Sequence, residues 1–218
     1  MPATPYSIVI LISGNGSNLQ AIIDQLANET NDTKISAVIS NRPDAYGLER
    51  AKKSGIPTES LDHTQFDSRE AFDQQLAKCI DQYQPDLVVL SGFMRILSDG
   101  FVKKYQGKLI NIHPSLLPAY KGLHTHKRAL EDEVKEHGAS VHFVIPELDA
   151  GNVIVHGVVP VKEGDDEESL RKRVHKIEHI IYPKAIQWLS EGKLHLKKEK
   201  TYLDNKLLLE PVKIYLKN

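Results

Sequence analysis

Cysteine is almost absent: Cys79 is alone among 218 residues. No disulfide can form within the chain, and a lone thiol fits a reducing compartment. No charge of one sign is in excess either. The 28 Lys+Arg stand against 29 Asp+Glu, a formal net charge of −1. Nothing in that balance draws the chain to nucleic acid or to an anionic membrane. Long apolar runs are missing too. The opening stretch MPATPYSIVILIS carries no Lys or Arg, and its unbroken run Ile8–Ile12 is far short of a signal h-region or a membrane span. There is no internal repeat and no low-complexity tract. What is left is a cytoplasmic globular protein that starts directly on its first strand. With 40% hydrophobic and 26% charged residues, it is one large domain or two small ones around a substantial core.

Ser7–Ile12 is a β-branched apolar run, the pattern of a central parallel strand buried on both faces. The turn Ser13-Gly14-Asn15-Gly16-Ser17-Asn18 follows, then a segment with Leu19, Ile22, Ile23 and Leu26 at helical spacing. Ile35–Ser40 reads as a second strand. Tyr46–Ser54 reads as a helix stopped by Gly55 and Pro57, and Pro57–Leu61 as a short third strand. Asp67 with Glu70 three residues on resembles a capping box. The helix behind it gathers Phe72, Leu76, Cys79, Ile80 and Tyr83 on one face, so Cys79 reads as packed rather than reactive. Leu87–Leu90 is another buried strand, followed by a short helix near Ser98–Tyr105 and a strand at Lys108–His113. A helix is expected near Thr125–Glu131, and strands at Gly138–Pro146 and Val153–Val161, joined by a hairpin turn at Asp149–Asn152. A long helix opens at Glu163–Ser169 and should kink at Pro183. Gly192–Asn218 reads as a small hairpin and a loose, Lys-rich tail. The alternation of strand and helix gives an α/β fold: a Rossmann-like doubly wound sheet, mostly parallel in its N-terminal half and mixed in its C-terminal part. Residues 1–190 read as a single catalytic domain and 191–218 as an appended hairpin and tail.

Two places could carry chemistry. At the glycine turn, free backbone N–H groups and the positive end of a helix dipole would make an anion site. Leu19 stands where a Rossmann motif would need its third glycine, and no Gly-Lys-Ser/Thr ending is present. A monophosphate therefore suits the turn better than a dinucleotide or a nucleoside triphosphate; the plainer alternative is a tight turn with no ligand. The second place is the end of the strand before Pro114 and Pro118. Proline stops the strand and leaves Asn111 and His113 at its C-terminal end, where open α/β sheets bind ligands. An imidazole can exchange a proton near neutral pH, and an amide can stabilise an oxyanion. Asp149, in a Gly-flanked turn, would orient that imidazole and favour its charged form. The three together suit acyl transfer, with an ordinary turn Asp as the alternative. His124, His126, His137 and His142 lack a metal-ligand spacing, so no metal is expected.

SGNGSN after the first strand, LSGFMRIL, NIHPSLLPAYKGLHTH and HFVIPELDAGNVI together resemble the folate-dependent phosphoribosylglycinamide formyltransferases of purine synthesis, in order from about Ser7 to Leu189. NIHPSLLP is shared more widely among enzymes that use formyltetrahydrofolate, and SGNGSN is the more specific part. The resemblance implies transfer of the formyl group of 10-formyltetrahydrofolate, a co-substrate, to 5-phosphoribosyl glycinamide. It implies that Asn111, His113 and Asp149 are catalytic, and that Gly16, Ser17 and Asn18 hold the ribonucleotide phosphate. Glu178, otherwise only a helix residue with a solvated carboxylate, would bond the ribose. Arg69, Met94, Arg95, Ile96, Leu97, Asn111, Ile145, Pro146, Glu147, Leu148 and Asp149 would line the folate site. Partners would be these small molecules alone, with the protein a monomer or homodimer. Ala150 stands where the family often has a second glycine, and Lys121 where a proline is common. Three rivals stay open. A methionyl-tRNA formyltransferase should have a further C-terminal domain and a basic surface. A formyltetrahydrofolate hydrolase should have an N-terminal regulatory domain and a second histidine where Pro114 stands. A non-catalytic phosphate-binding module would need only the glycine turn.

Overall fold

The apolar run after Tyr6 becomes β1 (Tyr6–Ile12), with Ile8 through Ile12 fully buried. This computed structural model describes residues 5–28 and 32–217, and the chain divides into two units, residues 1–111 and 112–218. The first unit continues through α1 (Ser17–Asn28), β2 (Thr33–Ser40), α2 (Tyr46–Lys53), β3 (Thr58–Ser60) and a 3₁₀ turn at His63–Gln65. It then runs through α3 (Arg69–Asp81), β4 (Leu87–Leu90), α4 (Asp99–Lys104) and into β5 (Leu109–His113). Its strands are ordered β5-β4-β1-β2-β3, and every pairing is parallel. Strands buried in the middle of a parallel sheet read as continuous apolar runs, as β1 and β4 do. The order turns back at β1, so the segments after β1 and β4 leave the same sheet edge in opposite directions, the usual place for a ligand.

One helix cap differs from the sequence reading in this unit. The cap of α3 is Ser68, not Asp67: its Oγ accepts the Ala71 N–H at 3.1 Å. Ser68 has the extended backbone an N-cap needs, and its short side chain reaches the third amide beyond it. Cys79 is half-buried; burial and the charge of Glu59 push its thiol up, which keeps it protonated and unreactive.

The second unit holds α5 (Thr125–Glu131), β6 (Glu136–Phe143), β7 (Val153–Pro160), α6 (Glu167–Ser190), β8 (Leu194–Lys197), β9 (Lys200–Leu203), β10 (Lys206–Leu207) and β11 (Val212–Tyr215). β6 and β7 pair antiparallel, as the hairpin signal predicts. The hairpin is not tight, however. β6 ends at Phe143 rather than Pro146, and residues 144–152 form the connection. α6 packs its Leu170, Val174, Ile177 and Ile181 against these strands. It starts on Asp166, whose carboxylate accepts from the Ser169 N–H while the Ser169 Oγ accepts from the Asp166 N–H. The helix runs through Pro183 to Ser190. Tyr182, Ala185, Ile186 and Leu189 on either side of the proline are buried, which keeps the helix continuous past the residue expected to kink it. The tail is also more ordered than its composition implies: β8, β9 and β10 form a three-stranded sheet, and β11 pairs parallel with β7.

Candidate active site

β5 carries Asn111 and His113 two residues apart, so both point from one face of the strand; Asn111 is half-buried and His113 buried. The His113 Nε2 lies 2.9 Å from the Tyr120 carbonyl oxygen, and its Nδ1 lies 3.4 Å from Asp149 Oδ2. Both neighbours are acceptors, so each ring nitrogen faces an oxygen. Asp149 reaches this place on the 144–152 connection with a left-handed φ of 48°. The turn that delivers it closes tightly: a Cβ on Gly151 would lie 1.7 Å from the Phe143 carbonyl oxygen, so no side chain is possible there. The Asp149 carboxylate is buried and accepts the Gly122 N–H at 3.0 Å. One carboxylate thus ties the 114–124 segment to the 144–152 connection and faces the imidazole. An exposed ion pair, Lys121 to Glu147 at 2.9 Å, links the same two segments.

His142 stands on the other side of Asp149, its Nε2 3.9 Å from Oδ1. Burial lowers its pKa, against the opposing effect of Asp149, so it is neutral and its Nδ1–H donates to the Phe143 carbonyl at 3.0 Å. The sequence reading did not give His142 a part in this site. Its position follows from the register His142↔Val153, which brings the start of the connection against its end, and no local pattern reports that. His126 and His137 form a buried pair nearby, Nδ1 to Nε2 at 3.1 Å, and burial pulls each down to about 4. Among the described residues, no group of three or more His, Cys, Asp or Glu is arranged to hold a metal ion.

In the first unit, the glycine turn enters α1 at Ser17, with Gly16 at a φ of 76°. The Gly16 carbonyl accepts the Gln20 N–H, so the amides of Ser17, Asn18 and Leu19 lie at the helix start, where an anion is favoured. The glycines also serve packing. A Cβ on Gly16 would lie 2.8 Å from the Gly47 Cα, and the Gly47 N–H donates to the Gly14 carbonyl at 3.0 Å. Arg50, unnoticed in the sequence, holds the turn from α2: its Nε donates to the Asn15 carbonyl and its Nη2 to Asn15 Oδ1, both at 2.9 Å.

The remaining candidates fall into two groups and one isolated residue. In the first unit, Met94 is 79% and Ile96 60% exposed while Leu97 between them and α4 is buried. Large apolar side chains held in solvent on a short segment suggest a surface for an apolar ligand. The Arg95 guanidinium lies over the Phe72 ring at 4.9 Å, and Arg69 is exposed at the start of α3. In the second unit, Ile145 is half-buried, and Pro146, Glu147 and Leu148 are exposed on the connection leading to Asp149. Glu178, for which a solvated carboxylate was the plain alternative, is buried in α6. Its charge, added to burial, raises the phenol of Tyr182 one turn along.

The formyl transferase family matches residues 6–186. The chain is 56% identical over 204 residues to the phosphoribosylglycinamide formyltransferase of Escherichia coli strain K12, covering 93% of this chain and 95% of that protein. It is 44% identical over 189 residues to the human trifunctional purine biosynthetic protein adenosine-3, covering 87% of this chain but only 19% of that longer protein. The solved phosphoribosylglycinamide formyltransferase of Coxiella burnetii superposes with a TM-score of 0.92 at 49% identity, over 96% of this chain and 99% of that one.

Proposed function

The chain belongs to the formyl transferase family, and on that premise we propose that it moves the formyl group of 10-formyltetrahydrofolate to the amine of 5-phosphoribosyl glycinamide, a step of de novo purine synthesis. The observation that carries the chemistry is the buried His113–Asp149 pair at the end of β5, with the Gly122 amide on the same carboxylate. The neutral amine attacks the formyl carbon, a C–N bond forms, and the carbonyl oxygen gains a negative charge. Asn111 donates to that oxygen, and so does the imidazolium of His113 once substrate takes the place of the Tyr120 carbonyl on Nε2 while Nδ1 stays on Asp149; donors positioned this way stabilise a developing oxyanion. Asp149 supports the imidazolium and takes up the proton leaving the new amine, directly or through a water. It returns that proton to the folate nitrogen, which departs as the oxyanion re-forms the carbonyl and the C–N bond to folate breaks, giving formylated product and tetrahydrofolate.

Binding is assigned to the other candidates. Gly16, Ser17 and Asn18 would take the monophosphate at the α1 N-terminus, and Glu178 the ribose hydroxyls. Arg69, Met94, Arg95, Ile96, Leu97, Asn111 and residues Ile145 to Asp149 would receive the folate, its apolar faces against Met94, Ile96 and Leu148. No metal enters this reaction scheme. Among the described residues, no helix is long and apolar enough to cross a membrane, and a cytoplasmic enzyme acting on small molecules, as monomer or homodimer, is the setting we infer.

The test is loss of the formyl group from 10-formyltetrahydrofolate, followed with and without the ribonucleotide. Loss only in its presence supports transfer. Equal loss in both samples would make the protein a hydrolase, and no loss in either would point to another acceptor or to binding alone.

A further inference from the structure

The segment between β4 and α4 exposes Met94 and Ile96, yet its backbone is fixed at two points by buried side chains. At one end the Ser98 N–H donates to Asp73 Oδ2 at 2.5 Å, and Ser98 then caps α4. At the other the Met94 N–H donates to Ser13 Oγ at 2.8 Å. Ser13 is the residue just after β1 and is buried. Because its oxygen accepts from Met94, its own hydrogen must go elsewhere. The Asn41 Oδ1 lies 2.6 Å away, the usual O–H···O separation. Asn41, the residue after β2, is buried as well. With its oxygen taken by Ser13, its amide nitrogen lies 3.1 Å from His63 Nδ1, but that ring nitrogen is closer to the Asn41 carbonyl oxygen, 2.9 Å, and donates to it, so His63 anchors the Asn41 backbone. The chain of bonds is directional from there: the Asn41 amide oxygen orients the Ser13 hydroxyl, and the hydroxyl presents a lone pair to Met94.

Burying a hydroxyl and an amide is costly unless each bond is made, and an apolar pair would fill the same place between strand ends. Here the polar pair leads to one backbone amide on a segment that presents apolar side chains to solvent. We propose that Ser13, oriented by Asn41, is a positioning residue for the formyl donor: it fixes Met94–Leu97 in the conformation that receives the folate. The proposal rests on the reading that this segment lines the folate site. Ser13 also begins the glycine turn, so one hydroxyl joins the two substrate-binding segments of the first unit.

Steady-state kinetics with each substrate varied tests this. Ser13→Ala should raise the KM for 10-formyltetrahydrofolate about tenfold, the order expected when one buried amide loses its acceptor, with kcat at saturation and the ribonucleotide KM changed less than about twofold. Asn41→Ala, which does not touch Met94, should move the same KM in the same direction, and Ser13→Thr, which keeps the hydroxyl, should restore it. Thermal melts run alongside separate folding from binding. A lower Tm with an unchanged donor KM, or an equal rise in both KM values, would overturn the proposal. Ile96→Ala checks the reading beneath it. If that variant raises the donor KM and Ser13→Ala does not, only the positioning role fails. If it leaves the donor KM unchanged, the segment does not line the site and both fail.

Discussion

Lowering the pH from 7.5 to 5 should cost the fold about 2–4 kcal/mol through one pair of buried histidines. His126 on α5 and His137 on β6 are joined Nδ1 to Nε2 at 3.1 Å, and burial pulls each to about 4. His137 also bonds the Pro114 carbonyl, so its Nδ1 carries the hydrogen and its Nε2 accepts from His126. Charges facing the pair come from α6, where His175 and Arg171 lower His126 further and Glu167 raises it, and from His113. In the unfolded chain both imidazoles titrate near the ordinary value of about 6.5. Between that value and about 4 the unfolded state binds protons that the folded state does not. The stabilisation is therefore fully present above pH 6.5 and is lost as the pH falls toward 4. Linkage puts the loss at pH 5 at about 2 kcal/mol for the first imidazole. The second adds a similar amount at most, because a proton on one disfavours a proton on the other. The assay is urea denaturation at pH 7.5 and pH 5.0. His142, His156 and His175 are also lowered and contribute to the slope, so the decisive comparison is with the His126→Gln, His137→Gln double variant. That variant should lose less stability than wild type over the same interval, by the amount above. An equal loss in the two proteins would refute the assignment of the pair as buried and neutral.

Four further outcomes follow from the proposed function. Asn111→Ala and His113→Ala should each lower kcat by about 10²–10³, the cost of one oxyanion donor, and stopped-assay turnover near wild type in either would remove them from the chemistry. Asp149→Asn should keep the bond from Gly122 and so keep its Tm within a few degrees, while losing at least about tenfold in kcat; a Tm collapse instead would make Asp149 structural. Gly16→Ala should cost about 2 kcal/mol or more in chemical denaturation, from its left-handed backbone and the approach of Gly47. Glu178→Gln should raise the KM for the ribonucleotide and leave that for the folate within about twofold, and a change confined to the folate would move Glu178 to the other substrate.

How far the sequence could be read depended on the range of the interaction that decided each feature. The parallel half was legible because its strands are buried on both faces and its stop signals are local: β4 and α5 fall at the expected residues, and Gly55 stops α2. The features that differed are those settled by contacts distant in sequence. The Lys-rich end has the composition of a tail, yet β11 finds its partner in β7, more than fifty residues earlier. The strand expected to reach Pro146 ends at Phe143 because Gly151 closes against the Phe143 carbonyl.

The candidate site divides in the same way. Asn111 and His113 are marked by a local event, a strand that must end where two prolines begin. Asp149 is marked only by residue type in a turn, and its tie to His113 depends on the Gly122 amide and on a left-handed backbone that no spacing encodes. Asn41 and Arg50 lie in none of the motifs, and Ser13 and His142 lie in motifs that give them no such part. Ser13, Asn41 and His142 are common polar residues made distinctive by burial and by what burial forces them to bond. A sequence reveals such residues least because their types are ordinary. A structure reveals them most directly, since a buried polar group must be accounted for bond by bond. Ser13 shows the difference: within SGNGSN it reads as the residue before a phosphate turn, and only the 2.6 Å and 2.8 Å bonds of its hydroxyl connect it to a segment 81 residues away.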